Sequence, residues 1–231
     1  MKTMKCRPLL LLLALVPAPS LGVLSGMILF PDSVFAKVFF VATKIWMFSL
    51  PVVWWWFYWR RREAEVAVRG KHGNGIMMSV WVGIAILVVI VAAYALLGDK
   101  FIDKPFFVAK IREAGFGDKH VFLALTAYWI CVNSLLEEVV WRWFVTGRFA
   151  EFTRPAVAVV LSGLCFTLHH ILAMSVFFPP LTNAIASAGV FVGGVLFSWL
   201  YFRYKSIWPP YIAHVFADIA VFGIGYWMLS R

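Results

Sequence analysis

The chain has 231 residues, of which 63% are hydrophobic and only 14% charged. A soluble domain of this length cannot bury so much apolar surface in one core, so the composition excludes an ordinary water-soluble protein. The net charge of +10 does not indicate nucleic-acid binding, because Lys and Arg collect in short blocks between apolar segments instead of along one folded surface.

Apolar segments of membrane-crossing length follow one another along the chain. A helix needs about 20 apolar residues to cross the hydrocarbon core of a bilayer. Segments that meet this requirement cover residues 9–29, 35–59, 76–97, 120–144, 155–178, 183–202 and 207–229. The sequence therefore predicts an all-α, polytopic transmembrane helical bundle with about seven spans, in which residues 1–231 form one membrane domain.

The first segment has two possible fates. Basic residues precede its apolar run, and a Pro-rich stretch at 17–20 follows the run, which is also the layout of a secretory signal peptide. We expect residues 1–30 to be retained as an anchor, with cleavage as a signal peptide as the alternative.

The basic residues predict the orientation, because cytoplasmic loops carry the excess of Lys and Arg. A model with the N-terminus in the cytoplasm places most of them on that side: Lys2, Lys5, Arg7, Arg60, Arg61, Arg62, Arg69, Lys71, Arg148, Arg154, Arg203 and Lys205. The segment 98–119 is the exception, and its mixed charges predict a helix in the interface. The short loops favour the cytoplasmic membrane of a prokaryote, with the endoplasmic reticulum as the alternative.

Two adjacent carboxylates lie in the fourth apolar segment. Charged residues inside transmembrane helices are costly, at about 2.5–3.5 kcal/mol each, so they usually face the protein interior and serve a function. Glu138 shares a helix face with Arg142, whereas Glu137 lies about 100° further around. An ion pair can thus hold Glu138 and leave Glu137 for another role. An ion pair at a helix end in the headgroup region is the alternative.

Two further pairs of residues are spaced by one helical turn. Phe166 and His170 lie in the fifth segment, and His214 and Asp218 lie in the seventh. A structural hydrogen bond would explain either pair alone, but histidine is suited to proton exchange near neutral pH. Counted from the cytoplasmic ends at about 1.5 Å per residue, the polar groups lie at about 10–20 Å, so we expect them to meet at one level.

The ordered set of motifs resembles the CAAX prenyl protease and bacteriocin-processing family of intramembrane endopeptidases. The motifs are Glu-Glu-x-x-x-Arg, Phe-x-x-x-His and His-x-x-x-Asn or Asp, each on a separate membrane helix. Here they correspond to Glu137, Glu138, Arg142, Phe166, His170, His214 and Asp218. The resemblance covers about residues 120–231, which we take as the catalytic core, and the first three segments carry no motif of the family.

The resemblance implies peptide hydrolysis by a glutamate-activated water. Glu137 would be the general base, His170 would help to hold the water, and Glu138 and Arg142 would be a supporting ion pair next to Phe166. His214 and Asp218 would border the oxyanion site. Eukaryotic prenyl-protein proteases have Asn where this chain has Asp218, so Asp218 either donates to the oxyanion when protonated or holds His214 in position.

A metal mechanism is the main chemical alternative. Glu137, His170 and His214 could supply the two-His, one-carboxylate ligand set of a zinc enzyme, but the His-Glu-x-x-His signature is absent. The resemblance favours a mechanism without a metal or other cofactor, with zinc as the alternative. Cys165 and Ser134 are weaker candidates for a nucleophile, because Cys165 lies on a different helix face from His170 and Ser134 has no His beside it.

The expected partners follow from this interpretation. They are membrane lipid and a peptide or protein substrate with a membrane-embedded or C-terminal anchor segment, and no nucleic acid. A non-catalytic interpretation remains open, in which an immunity protein, a binding protein or a transporter subunit keeps the same polar cluster.

Overall fold

The computed structural model describes residues 2–59 and 75–231, together with all side chains of these ranges except those of residues 2–7, 58 and 59. The basic block Arg60, Arg61, Arg62, Arg69 and Lys71, on which the orientation partly depends, lies outside the described residues. No strand occurs within them. The all-α class predicted from the sequence is confirmed.

Eight helical stretches make up the described part of the chain. Three of them consist of consecutive α-helical and π-helical segments. The stretches are α1 (Lys2–Leu15, Pro17–Val23 and Leu24–Leu29), α2 (Val34–Trp54 and Trp55–Trp59), α3 (Ile76–Phe101), α4 (Lys104–Glu113), α5 (Lys119–Tyr128, Trp129–Asn133, Ser134–Glu138, Val139–Thr146 and Gly147–Ala150), α6 (Pro155–Ser175), α7 (Pro180–Tyr204) and α8 (Trp208–Ser230). All except α4 are long and apolar enough to span a membrane, so the seven predicted spans are confirmed.

The fourth span is longer than the predicted 120–144, because α5 continues to Ala150. The charge of Arg148 suggested a loop at this point in the sequence. In the structure the guanidinium carbon of Arg148 lies 3.9 Å from the centre of the Trp54 ring, and Nη1 lies 2.6 Å from Oε1 of Glu151. A cation over an aromatic face is stabilised by the charge distribution of the ring, so this arginine does not end the helix.

The short helix α4 is amphipathic and lies at the end of the bundle. Its Phe107 and Ile111 are buried against Met228 and Leu229 of α8. Its charged side chains pair on the outside, where Nζ of Lys110 lies 2.7 Å from Oε2 of Glu113. This is the arrangement expected for the interfacial helix predicted between residues 98 and 119.

The N-terminus of α5 is fixed by a capping residue. The Asp118 carboxylate accepts hydrogen bonds from the backbone N–H groups of Val121 at 3.0 Å and His120 at 2.9 Å. These bonds hold the pKa of Asp118 below its ordinary value, because they favour the charged form. The cap satisfies N–H groups that have no partner inside the helix.

The middle of α5 departs from regular α-helical geometry. The segments Trp129–Asn133 and Val139–Thr146 are π-helical, and they flank the α-helical turn Ser134–Glu138 that carries both carboxylates. Such wider turns occur frequently at functional sites. The hydroxyl of Ser134 donates to the Trp129 carbonyl five residues earlier, at 2.8 Å, as the wider turn allows.

A close approach of α6 and α7 holds Phe166 in place. A Cβ atom added to Gly163 would lie 2.8 Å from Cγ2 of Val195, and one added to Gly194 would lie 3.1 Å from Cδ1 of Phe166. Small residues at such crossings let membrane helices pack closely. The glycines therefore bring the Phe166 ring against α7.

The first two helices pack on the half of α5 that follows the carboxylates. Leu12 and Leu15 of α1 and Met47 of α2 are buried in one core cluster with residues of α5 and α6. The α5 and α6 members of this cluster are Val140, Trp141, Phe144, Val145 and Phe166. The N-terminal pair of helices thus supports the part of the bundle that holds the motif residues.

Candidate active site

Glu138 is fixed by two partners and has no exposed surface. Its Oε2 accepts a hydrogen bond from Nε of Arg142 at 3.0 Å, and its Oε1 lies 2.9 Å from Nδ1 of His214. Glu138 and Arg142 are both 0% exposed. A buried carboxylate is tolerated when it is paired and hydrogen-bonded. Both oxygens of Glu138 are therefore occupied, Oε2 by a contact within α5 and Oε1 by a contact that joins α5 to α8.

Arg142 is enclosed by aromatic rings on the side away from Glu138. Its guanidinium carbon lies 4.5 Å from the centre of the Phe166 ring and 5.3 Å from that of Phe197. Its Nη1 and Nη2 have no hydrogen-bond partner in the described part of the chain. The ring faces stabilise the cation in place of hydrogen bonds.

His214 lies between two carboxyl groups. While Nδ1 faces Glu138, Nε2 lies 3.6 Å from Oδ1 of Asp218, one helical turn further along α8. The ring also stacks on Phe197 with a centre-to-centre distance of 4.9 Å. Both edges of the imidazole are thus occupied, and its orientation is fixed.

Asp218 is held by Ser134 as well as by His214. Its Oδ2 lies 2.5 Å from Oγ of Ser134, and this Oγ lies 2.8 Å from the Trp129 carbonyl. A hydroxyl has one proton, and a carbonyl can only accept. Both contacts of Ser134 are satisfied at once when a protonated Asp218 donates to Ser134 and Ser134 donates to Trp129.

Glu137 is buried but less firmly held than its neighbour. It is 4% exposed. Its Oε1 lies 4.0 Å from Nζ of Lys44 on α2, and the Asn133 side chain supplies a hydrogen bond. His170 and His214 are close enough to act on it electrostatically. Of the two adjacent carboxylates, Glu137 is therefore the one that is less committed to partners in the protein.

His170 has one ring nitrogen committed to the backbone. Its Nδ1 lies 2.9 Å from the carbonyl oxygen of Phe166. Because a carbonyl only accepts, Nδ1 carries the proton, and in the neutral ring Nε2 keeps a lone pair. The Phe166 ring is centred 4.5 Å from the His170 ring and 6.0 Å from the His214 ring. The Phe166 ring is therefore adjacent to the rings of both motif histidines.

The adjacent histidine has different surroundings. His169 is 5% exposed, and its ring stacks on Trp141 at 5.3 Å with an angle of 8° between the planes. Neither of its ring nitrogens has a hydrogen-bond partner in the described residues. The main contact of His169 is therefore the stacking of its ring on Trp141.

Two residues of the cluster are missing from the sequence-based site. Lys44 is a charged residue inside the second apolar segment. Its position alone indicates a functional role, since charged residues inside membrane helices usually face the protein interior. Ser134 was considered only as a nucleophile, whereas it contacts Asp218. No pattern in the sequence indicates this contact, because it joins residues 84 positions apart across two helices.

The residues suggested as a zinc set do not converge as metal ligands. In the described part of the chain, no three His, Cys, Asp or Glu side chains come together in a geometry that could hold a metal ion. Nδ1 of His214 faces Glu138 and Nε2 faces Asp218, so neither nitrogen points into a shared site with Glu137 and His170.

Residues 119–220 match the family model of the type II CAAX prenyl endopeptidase Rce1-like proteins. The part of the chain that carries the candidate site is therefore similar to this family. The matched segment begins with α5 and ends within α8, and it contains the Glu137–Glu138 pair, both motif histidines and Asp218. Neither a curated protein nor a solved structure matches the chain.

The family match indicates the activity at a general level. The protein is a hydrolase of the CAAX-protease type that is integral to a membrane, and its partners are membrane lipid and a peptide substrate. The resemblance inferred from the motifs is confirmed.

Proposed function

We propose that the protein is a glutamate-dependent intramembrane endopeptidase. Its substrate is a peptide or protein with a membrane-embedded segment or a C-terminal anchor, and its location is the cytoplasmic membrane of a prokaryote, with the N-terminus in the cytoplasm. The whole chain works as one membrane domain, with about residues 120–231 as the catalytic core and the first helix retained as an anchor.

The proposal rests on the different contacts of the two adjacent carboxylates, Glu137 and Glu138. Glu138 has both oxygens occupied by Arg142 and His214, at 3.0 and 2.9 Å. Within the described residues, Glu137 forms no salt bridge with an arginine, and it lies beside the two motif histidines. The ion pair with Arg142 needs only Glu138, so it leaves Glu137 for another role.

The chemistry follows from these positions. Glu137 accepts a proton from a water molecule that also donates to Nε2 of His170, and the resulting hydroxide attacks the scissile carbonyl carbon. Negative charge develops on the carbonyl oxygen, which faces His214 and Asp218. The proton on Glu137 then passes to the leaving amine as the C–N bond breaks. The products are a new carboxylate and a new amine, so one water molecule is consumed.

The test is cleavage by purified protein in liposomes. One probe is a fluorescent peptide ending in a farnesylated CAAX sequence, and the second carries the same sequence on an unprenylated transmembrane anchor. We expect the wild type to cut at least one probe, with both fragments identified by mass spectrometry. If the correctly inserted wild type cuts neither probe, the proposal fails, and the non-catalytic immunity, binding or transport role takes its place.

The two adjacent histidines offer a matched pair of variants. His169→Phe keeps a flat ring against Trp141 and removes two nitrogens that have no partner in the described residues. We therefore expect His169→Phe to retain kcat within about threefold, whereas His170→Phe loses the lone pair that holds the water and falls by about 10²-fold or more. The kcat of each variant on the cleaved probe measures this difference. A loss confined to His169→Phe would contradict this assignment, because the water-binding role would then belong to His169.

A further inference from the structure

Lys44 lies at a depth where a membrane helix rarely carries a charge. It is placed on the span Val34–Phe57, ten residues after its start and thirteen before its end. At about 1.5 Å per residue, these separations correspond to about 15 and 20 Å. A lysine near a helix end can extend its ammonium group to the headgroups, but one at this depth needs a polar partner inside the protein.

The partner within reach is Glu137. The distance from Nζ of Lys44 to Oε1 of Glu137 is 4.0 Å, and the two side chains are 28% and 5% exposed. The ammonium group also lies 5.7 Å from the centre of the Phe48 ring on the same helix. Because Glu137 is almost completely buried, a charge at this distance is weakly screened by solvent.

The other strong cation of the cluster serves a different carboxylate. Arg142 binds Glu138 at 3.0 Å and is enclosed by Phe166 and Phe197. The remaining groups around Glu137 are Asn133, which is neutral, and His170 and His214, whose charge depends on protonation. Lys44 is therefore the basic side chain in a salt-bridge contact with Glu137.

We propose that Lys44 is a positioning residue that keeps Glu137 ionised and oriented towards the water molecule. This inference rests on the proposed function of Glu137 as the general base. It also assigns a catalytic task to α2, which lies outside the segment 119–220 that matches the family model. The N-terminal helices are then part of the working site as well as its support.

The role predicts an effect on kcat with little effect on KM. Lys44→Met keeps the length of the side chain and removes the charge, so we expect kcat to fall by at least about tenfold, since a charge within about 4–6 Å changes the ratio of the ionised to the protonated carboxyl group by about 10- to 1000-fold. KM should stay within about threefold. Lys44→Arg should keep kcat within about tenfold of the wild type.

Lys37 provides the matched control. It lies on the same helix two turns earlier and is exposed. Lys37→Met changes the same residue type and the same net charge, so it should leave kcat and KM unchanged. Equal losses in the two Met variants would overturn the inference, because they would reflect a general effect of charge on α2. A rise in KM alone for Lys44→Met would also overturn it, because Lys44 would then bind substrate.

Chemical restoration separates the charge from the shape of the side chain. In a variant whose native cysteines are replaced by Ser, Lys44→Cys should lose kcat to the extent that Lys44→Met does, and it should regain kcat after 2-bromoethylamine converts the cysteine into a lysine analogue. Iodoacetamide, which adds an uncharged group, should restore nothing. Recovery with both reagents, or with neither, would contradict a role for the charge.

A thermodynamic cycle tests the contact without any substrate. Thermal unfolding in detergent is measured for the wild type, Lys44→Met, Glu137→Gln and the double variant. We expect Lys44→Met to lower Tm when Glu137 is present and to have little effect when it is combined with Glu137→Gln, because the cation then has no anion to stabilise. Equal decreases would overturn the contact. Full activity of Glu137→Gln would overturn the proposed general base instead, whatever this cycle shows.

Discussion

Glu137→Gln is expected to reduce cleavage by about 10²- to 10⁴-fold, which is the range for loss of a positioned general base. The amide has nearly the same shape as the carboxylate but cannot take a proton from water. Glu137→Ala should be equally inactive. Both variants should insert into the membrane normally, since neither removes apolar length. The measurement is kcat on the cleaved probe, with Tm in detergent showing that the bundle is intact.

The neighbouring carboxylate gives the control for this result. Glu138 is fully buried between Arg142 and His214, so Glu138→Gln should lower Tm as well as activity, because it leaves Arg142 without its buried anion. Loss of activity without loss of stability should therefore be specific to position 137. Undiminished cleavage by Glu137→Gln would assign the base to another residue.

Trapping experiments distinguish direct attack by water from a covalent intermediate. If Cys165 or Ser134 were a nucleophile, an acyl-enzyme would form and added methanol would yield a methyl ester of the upstream fragment. Ser134 is bound to Asp218 and to the Trp129 carbonyl. Cys165 packs against the buried core cluster that contains Phe166. We therefore expect hydrolysis alone, with no ester in the products.

The sequence was sufficient to predict the helices and the motif residues. Seven apolar segments gave the seven spans, because the length needed to cross a bilayer is a strong constraint. The spacing of Glu138 and Arg142 by four residues placed them on one helix face, and their atoms lie 3.0 Å apart. The helix face that two such residues share can be predicted from the sequence, because it depends only on residues that are close together in the chain.

The depth of each residue was less predictable. Counting along straight helices separated Glu137 from His214 by about 10 Å, yet Nδ1 of His214 lies 2.9 Å from the carboxylate of Glu138. The span Lys119–Ala150 has 32 residues. At about 1.5 Å per residue it would be about 48 Å long, more than the roughly 30 Å of hydrocarbon, so it must tilt or project beyond the core. Its two π-helical segments change the register further.

The contacts of Asp218 predict different effects for its replacement by Asn and by Ala. In Asp218→Asn, the new amide would donate from Nδ2 to Oγ of Ser134, which could still donate to the Trp129 carbonyl, and the amide oxygen would remain opposite Nε2 of His214. Asparagine can therefore satisfy each contact that a protonated Asp218 makes. It also matches the alternative residue of the third family motif.

Asp218→Asn should accordingly retain cleavage within about tenfold, whereas Asp218→Ala should lose about 10²- to 10³-fold, the range for removal of one oxyanion donor. The alanine leaves His214 held on one edge only and leaves Ser134 without its carboxyl partner, so the groups that face the oxyanion become misaligned. Both variants are measured as kcat on the cleaved probe. Equal losses for Asn and Ala would show that position 218 acts as a charged carboxylate.

Metal removal completes the test of Asp218, because a zinc site would give this residue a different task. As a ligand to zinc, or as a carboxylate orienting His214 towards it, Asp218 could not be replaced by Asn without weakening the metal. Without a metal in the mechanism, strong chelators should leave cleavage intact while Asp218→Ala remains impaired. Metal content is determined on the same purified protein in detergent. Stoichiometric zinc together with chelator-sensitive cleavage would replace the glutamate mechanism by a metal mechanism, since His214 would then have to exchange its contact with Glu138 or Asp218 for the ion.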